Sequence, residues 1–158
     1  MSYPPPNFPP MLPPILRDQR KIDAGHLKML SVFHYVAAGL SLLGILFVTM
    51  HFSIFHAFLD NPKIWEGQKD APPVEIFGIF KWFYVMIGGW FLISLLLNLF
   101  SGMFIQARKN RTFTLITAGV NCLHVPIGTV LGVFTFIVLL RDSVEELYEA
   151  RDSGAPLP

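Results

Sequence analysis

Read as apolar and polar positions, the chain is three long apolar runs joined by short polar connectors. Residues 29–59, 82–107 and 112–140 contain no Asp, Glu, Lys or Arg, in runs of 31, 26 and 29 residues. Each exceeds the roughly 18 apolar residues that mark a membrane-spanning candidate. The runs predict helices, because within hydrocarbon a helix satisfies every backbone N–H and C=O inside its own segment. At 1.5 Å per residue the first run would measure about 46 Å, against about 30 Å of hydrocarbon. Its 51–59 end, with His51 and His56, is therefore expected in the outer interface.

The third run carries Pro126 and a cluster of turn-compatible residues, Asn121, Cys122, His124 and Gly128. Two readings are open. One is a single helix kinked at Pro126, which membrane helices tolerate. The other is a pair of short helices, 112–125 and 126–140, forming a hairpin with Pro126 and Gly128 as its hinge or turn. Each half would reach only about 20 Å, short of a full span. The hairpin is the expectation carried forward. The fold class expected is an all-α integral membrane protein, a helical bundle. It has two long transmembrane helices (29–59 and 74–107) and a Pro/Gly-broken third segment, between a leader and collar (1–28) and an acidic tail (141–158).

Charge falls in the connectors. Residues 1–14 hold seven prolines and predict an extended, disordered leader. A basic collar follows, with Arg17, Arg20, Lys21 and Lys28 against Asp18 and Asp23. The 107–112 connector has Arg108, Lys109 and Arg111 and no acid, whereas Lys63 and Lys69 of the 60–73 connector are offset by Asp60, Glu66 and Asp70. Cation-rich short flanks stay on the cytoplasmic side, so the N-terminus is expected there and the 60–73 connector outside. Trp65, Trp82, Tyr84 and Trp90 suit an interfacial belt near that connector. In the tail, Ser143 and Glu146 have the spacing of a capping box opening a short helix, and a solvated tail is the reading taken.

Composition changes the picture only by exclusion. The chain has 158 residues, of which 53% are hydrophobic and 15% charged, and a mean hydropathy of +0.50. A soluble domain carries about 25% charge, so a water-soluble globular domain is excluded. A net charge of +1 gives no case for nucleic acid, and the single cysteine, Cys122, cannot form an intramolecular disulfide.

Candidate chemistry is sparse. Gly128 and Gly132 form a GxxxG repeat that permits close helix approach, and Ala37, Ser41 and Gly44 make a similar stripe with His34 at its inner end. Ser94, Asn98 and Ser101 share one helix face, as do Thr114, Thr117, Asn121 and His124. Polar side chains at that depth bond across helices or line a solute path. No carboxylate or cation accompanies them, as ion-coupled transport usually requires. Haem ligation by His34 and His124 needs imidazoles at one depth, and their positions along the runs differ. No HExxH, GxSxG, Walker or CxxC motif occurs. No metal, cofactor or catalytic residue is expected.

Two segments carry a resemblance: HLKMLSVFHYVAAGL at 26–40, and residues 112–144, within which PIGTVLG at 126–132 is the most specific part. They resemble a widespread group of small uncharacterised bacterial multi-pass membrane proteins. The match covers about a third of the chain and omits the leader, the 60–73 connector and the acidic tail. The resemblance implies a bacterial inner-membrane location and supplies no activity. The resulting expectation is a non-enzymatic structural or accessory subunit acting by helix packing, its partners being the lipid bilayer and either itself or a larger membrane complex. The alternative is a small-solute channel or transporter using Ser94, Asn98, Thr117, Asn121 and His124.

Overall fold

The computed structural model describes residues 14–61, 63, 66 and 74–153. It is all-α among those residues. The long helices are α1 (Pro14–Leu59) and α2 (Val74–Ala107); α3 (Arg111–Asn121), α4 (Ile127–Leu139) and α5 (Asp142–Asp152) are short. Two stretches, Lys21–Leu59 in α1 and Gly78–Ala107 in α2, are long and apolar enough to cross a membrane. Trp82, Leu123, Val125 and Val130 are each at least 70% exposed. Together with the apolar outer faces of α1 and α2, they make a surface that only lipid or a partner can solvate. The protein is a membrane protein on these grounds.

α1 and α2 pack antiparallel. Ser31 meets Gly102, His34 meets Asn98, Ser41 meets Ser94 and His51 meets Tyr84, so positions rise along one helix as they fall along the other. The third run is a hairpin. The Arg111 Nε–H donates to the Leu139 carbonyl at 2.9 Å, placing the start of α3 beside the end of α4. A Cβ built on Gly132 would lie 2.5 Å from the Ala118 carbonyl oxygen, and one on Gly128 would lie 2.5 Å from that of Asn121. Only glycine lets the two backbones approach so closely. α2 reverses into α3 through Arg108 and Asn110, both at positive φ (49° and 48°). The Lys109 N–H bonds the Phe104 carbonyl at 2.9 Å, a Schellman-type close.

Four features differ from the sequence expectation. α1 begins at Pro14, so the collar, expected outside the first span with the disordered leader, is helical; the leader before it lies outside the described residues, as do Trp65 and most of the 60–73 connector. Pro126 precedes α4 instead of opening it, and residues 122–126 form the turn. The expected capping box is not made: no side chain caps α5, and the Ser143 hydroxyl donates to Asp23 instead. Finally, the tail helix is docked, not solvated. Val144, Leu147 and Tyr148 are buried in one cluster with Leu27 and Leu30 of α1, Ile105 of α2, and Leu131, Val138 and Leu139 of α4. That spacing is an apolar stripe on one face of α5, and Asp142, Glu145, Glu146 and Glu149 are exposed.

Asp23 fastens α5 from outside this core. Its carboxylate is fully buried and accepts from Arg141 at 3.0 Å and from Ser143. Arg111 pairs with Glu145 at 2.6 Å. The N-terminal part of α1, the 108–110 turn and the start of α5 therefore share one end of the bundle, here called the basic end. Burial pushes the Tyr148 phenol up to about 12 against the pull of Arg111 and Arg108, so it stays protonated.

Candidate functional site

The polar stripes meet in one buried cluster. α2 supplies Asn98, whose amide nitrogen donates to the Ser94 carbonyl at 2.9 Å and to Asn121 Oδ1 of α3 at 3.0 Å. Asn121 Nδ2 returns a bond to Asn98 Oδ1 at 2.8 Å, closing a reciprocal amide pair. From α1, His34 places Nδ1 2.9 Å from Asn98 Oδ1 and Nε2 3.2 Å from the Thr135 hydroxyl of α4. One side chain from each of four helices thus joins a single network. His34, Asn98, Asn121 and Thr135 are all at most 3% exposed.

The directions of these bonds follow from the acceptors. Asn98 cannot be turned round, because its nitrogen faces a carbonyl, which only accepts. Its oxygen therefore faces His34, and the hydrogen on Nδ1 donates to it. Thr135 has one hydroxyl hydrogen and two acceptors in reach, His34 Nε2 and the Leu131 carbonyl at 2.7 Å. That hydrogen serves one of them at a time, and the Leu131 carbonyl is the nearer. Beside this core the Ser41 hydroxyl reaches both the Ala37 carbonyl (3.0 Å) and Ser94 Oγ (3.1 Å).

The remaining expected site residues fall as follows. Ala37 is half-buried beside Ser41, and Gly44 faces the Phe91 ring, which a Cβ would meet at 2.7 Å. Ser101 is buried with its hydroxyl unpartnered. Thr117 is buried and bonds its own helix, donating to the Phe113 carbonyl at 3.1 Å. His124 sits in the hairpin turn and stacks on Trp90, with ring centroids 5.1 Å apart. The structure thus brings Ser41, Ser94, Asn98 and Asn121 together, whereas Ser101 and Thr117 stay outside the network. Thr135 joins it although no sequence pattern singled it out; its signal is one hydroxyl in an otherwise apolar α4 face, level with His34.

His34 and His124 take separate partners and do not face a common centre. Among the described residues no group of three or more His, Cys, Asp or Glu is placed to hold a metal ion. Beside the network a cleft of about 250 Å³ has Ser41, Ser94, Asn98 and Asn121 as its polar floor. No protein-family model, curated protein or solved structure matches the chain.

Proposed function

We propose that the chain is a non-enzymatic, multi-pass structural or accessory subunit of the bacterial inner membrane, with its N-terminus cytoplasmic. The observation that carries this reading is the closed amide pair Asn98–Asn121 with His34 and Thr135. Asn98 and Asn121, which would line a solute path, are bonded to each other, and no charge stands beside them. Such bonds latch helices at roughly 0.6 kcal/mol each. The GxxxG pair is used within the hairpin, which leaves the exposed apolar faces of α1 and α2 for a second copy or a larger membrane complex.

The test is reconstitution into proteoliposomes with stopped-flow swelling in glycerol and urea, paired with native mass spectrometry in mild detergent. Swelling equal to that of empty vesicles, with a defined oligomer or complex, is expected. Solute entry above background that Asn98→Leu abolishes would instead establish the channel reading.

A further inference from the structure

The hairpin is too short for the bilayer that α1 and α2 are long enough to cross. α4 has 13 residues and reaches about 20 Å, against about 30 Å of hydrocarbon. Its open end carries Arg111 and Arg141, cations that stay at the headgroups. In a flat bilayer the turn at residues 122–126 would therefore stop about 10 Å short of the opposite headgroups. Gly78–Ala107 of α2, by contrast, measures about 45 Å, ample for a bilayer of ordinary thickness.

The turn is not built to sit in hydrocarbon. The Val125 and Ile127 N–H groups and the Leu123 and Val125 carbonyls have no hydrogen-bond partner among the described residues. Leu123, Val125 and Ile127 are 70%, 80% and 68% exposed, so the protein covers little of any of them. Irregular backbone at membrane depth is tolerated only where protein buries it or water reaches it. One unpaired group in hydrocarbon costs several times as much as an ångström of thickness mismatch, so four of them outweigh about 10 Å of it. Behind the turn, residues 125–128 share a cleft of about 250 Å³ with Ser41, Ser94, Asn98 and Asn121. That cleft has a polar floor and room for several waters at roughly 30 Å³ each.

No protein wall encloses water above the turn. Among the described residues only α1 and α2 continue past it, packed on each other through pairs such as Phe52 on Tyr84 and Phe55 on Phe80. Water over the turn therefore has lipid for its other boundary. A headgroup layer meets both needs of the turn, with water for the backbone and hydrocarbon at its edge for the Leu123 and Val125 side chains. We propose that the hairpin is a one-sided membrane-thinning wedge. Over residues 122–126 the leaflet opposite the basic end sinks by about 10 Å, until its headgroups and their water meet the turn. On their lipid faces α1 and α2 keep the bilayer at ordinary thickness.

Probe depth in phosphatidylcholine nanodiscs tests this. In a Cys122→Ala protein, a nitrobenzoxadiazole probe is attached through Val125→Cys and, separately, through Leu123→Cys. The controls are Leu42→Cys and Leu92→Cys, at positions 47% and 49% exposed. Each is two residues from a side chain at the turn, Leu40 or Trp90, so it is level with the turn to about 3 Å and on the other face of its helix. All four probe sites are exposed, so labelling leaves the packing intact. Quenching by lipids with a nitroxide on the headgroup or at mid-chain reads the distance to the headgroups. Both turn probes should lie about 10 Å closer to the headgroups than the controls, the shortfall of the hairpin, and emit further to the red. Equal depths at the turn and the controls overturn the wedge, even if the turn probes are red-shifted, because water would then reach the turn without thinning. Turn probes quenched by neither lipid overturn it too, because a second copy of the chain would then cover the turn.

Discussion

Asn98→Leu is the sharpest perturbation of the network, because leucine has the same branched skeleton and can make none of the bonds. Three bonds that cross between helices disappear: one to His34 (2.9 Å) and two to Asn121 (3.0 and 2.8 Å). At the membrane average of roughly 0.6 kcal/mol each, the loss is about 2 kcal/mol. Leaving the His34 and Asn121 groups buried without partners raises the ceiling to about 5 kcal/mol. The comparison variants are Ser101→Ala and Thr114→Val. Both hydroxyls are as deeply buried, and neither has a partner. Removing them relieves a desolvation cost of about 1–3 kcal/mol, so these variants should be neutral or more stable. Reversible unfolding in mixed micelles titrated with dodecyl sulfate measures all three on one scale. If Asn98→Leu falls within about 0.5 kcal/mol of the parent, a value below even one ordinary hydrogen bond, the network is not a latch. If Ser101→Ala costs as much as Asn98→Leu, burial alone is being measured and the bond inventory explains nothing.

Other consequences follow from the same geometry. Gly132→Ala should cost about 1–3 kcal/mol by overpacking against the Ala118 carbonyl, whereas Gly119→Ala, with nothing within 4 Å of its Cβ, should be tolerated in the same titration. Asp23→Ala removes the acceptor that Arg141 and Ser143 share; with Arg141 37% exposed the loss is discounted to about 1–3 kcal/mol. It should appear as faster hydrogen exchange confined to residues 142–152. Cysteines at Asn110 and Ser153, in a Cys122→Ala background, should react with impermeant maleimide from the same face of the membrane. Labelling from opposite faces would contradict the hairpin, and an exported, active alkaline phosphatase fused after Pro158 would contradict a cytoplasmic tail.

The two long helices and the broken third run were legible because they rest on one term, the cost of charge and unpaired backbone in hydrocarbon. That term reads directly off charge-free length. The docking of α5 was not legible, because its five acids dominate any reading of residues 142–152. What holds it is an apolar stripe of three residues and a part-buried ion pair between positions 118 apart in sequence. The stripes containing Ser94, Asn98 and Asn121 were visible as helix faces. Their pairing depends on register between helices, which periodicity within one helix does not carry. Thr135 shows the limit most plainly. Set in an apolar helix face, it becomes meaningful only when the hairpin brings it to within 3.2 Å of His34.

The short hairpin divides the long helices into two zones, and the division makes one further prediction. α4 reaches only about 20 Å, so the hairpin turn lies beside Trp90 and Ser41 rather than at the far membrane surface. Among the described residues, from Gly44 outward α1 has only α2 beside it, through ring contacts such as Phe52 on Tyr84 and Phe55 on Phe80. Gly44 stands at that boundary. A Cβ there would meet Phe91 ring atoms at 2.7–2.9 Å, nearly as close as the 2.5 Å between a Cβ on Gly132 and the Ala118 carbonyl. The obstacles differ in kind. Phe91 is a half-buried side chain that can rotate towards the thinner zone, whereas the Ala118 carbonyl belongs to a helix pinned on its other side by α2. Gly44→Ala should therefore cost less than about 1 kcal/mol, below the usual overpacking range that Gly132→Ala should enter. Equal losses in the two variants would mean that the outer zone is packed as tightly as the latched one, and that the division does not exist.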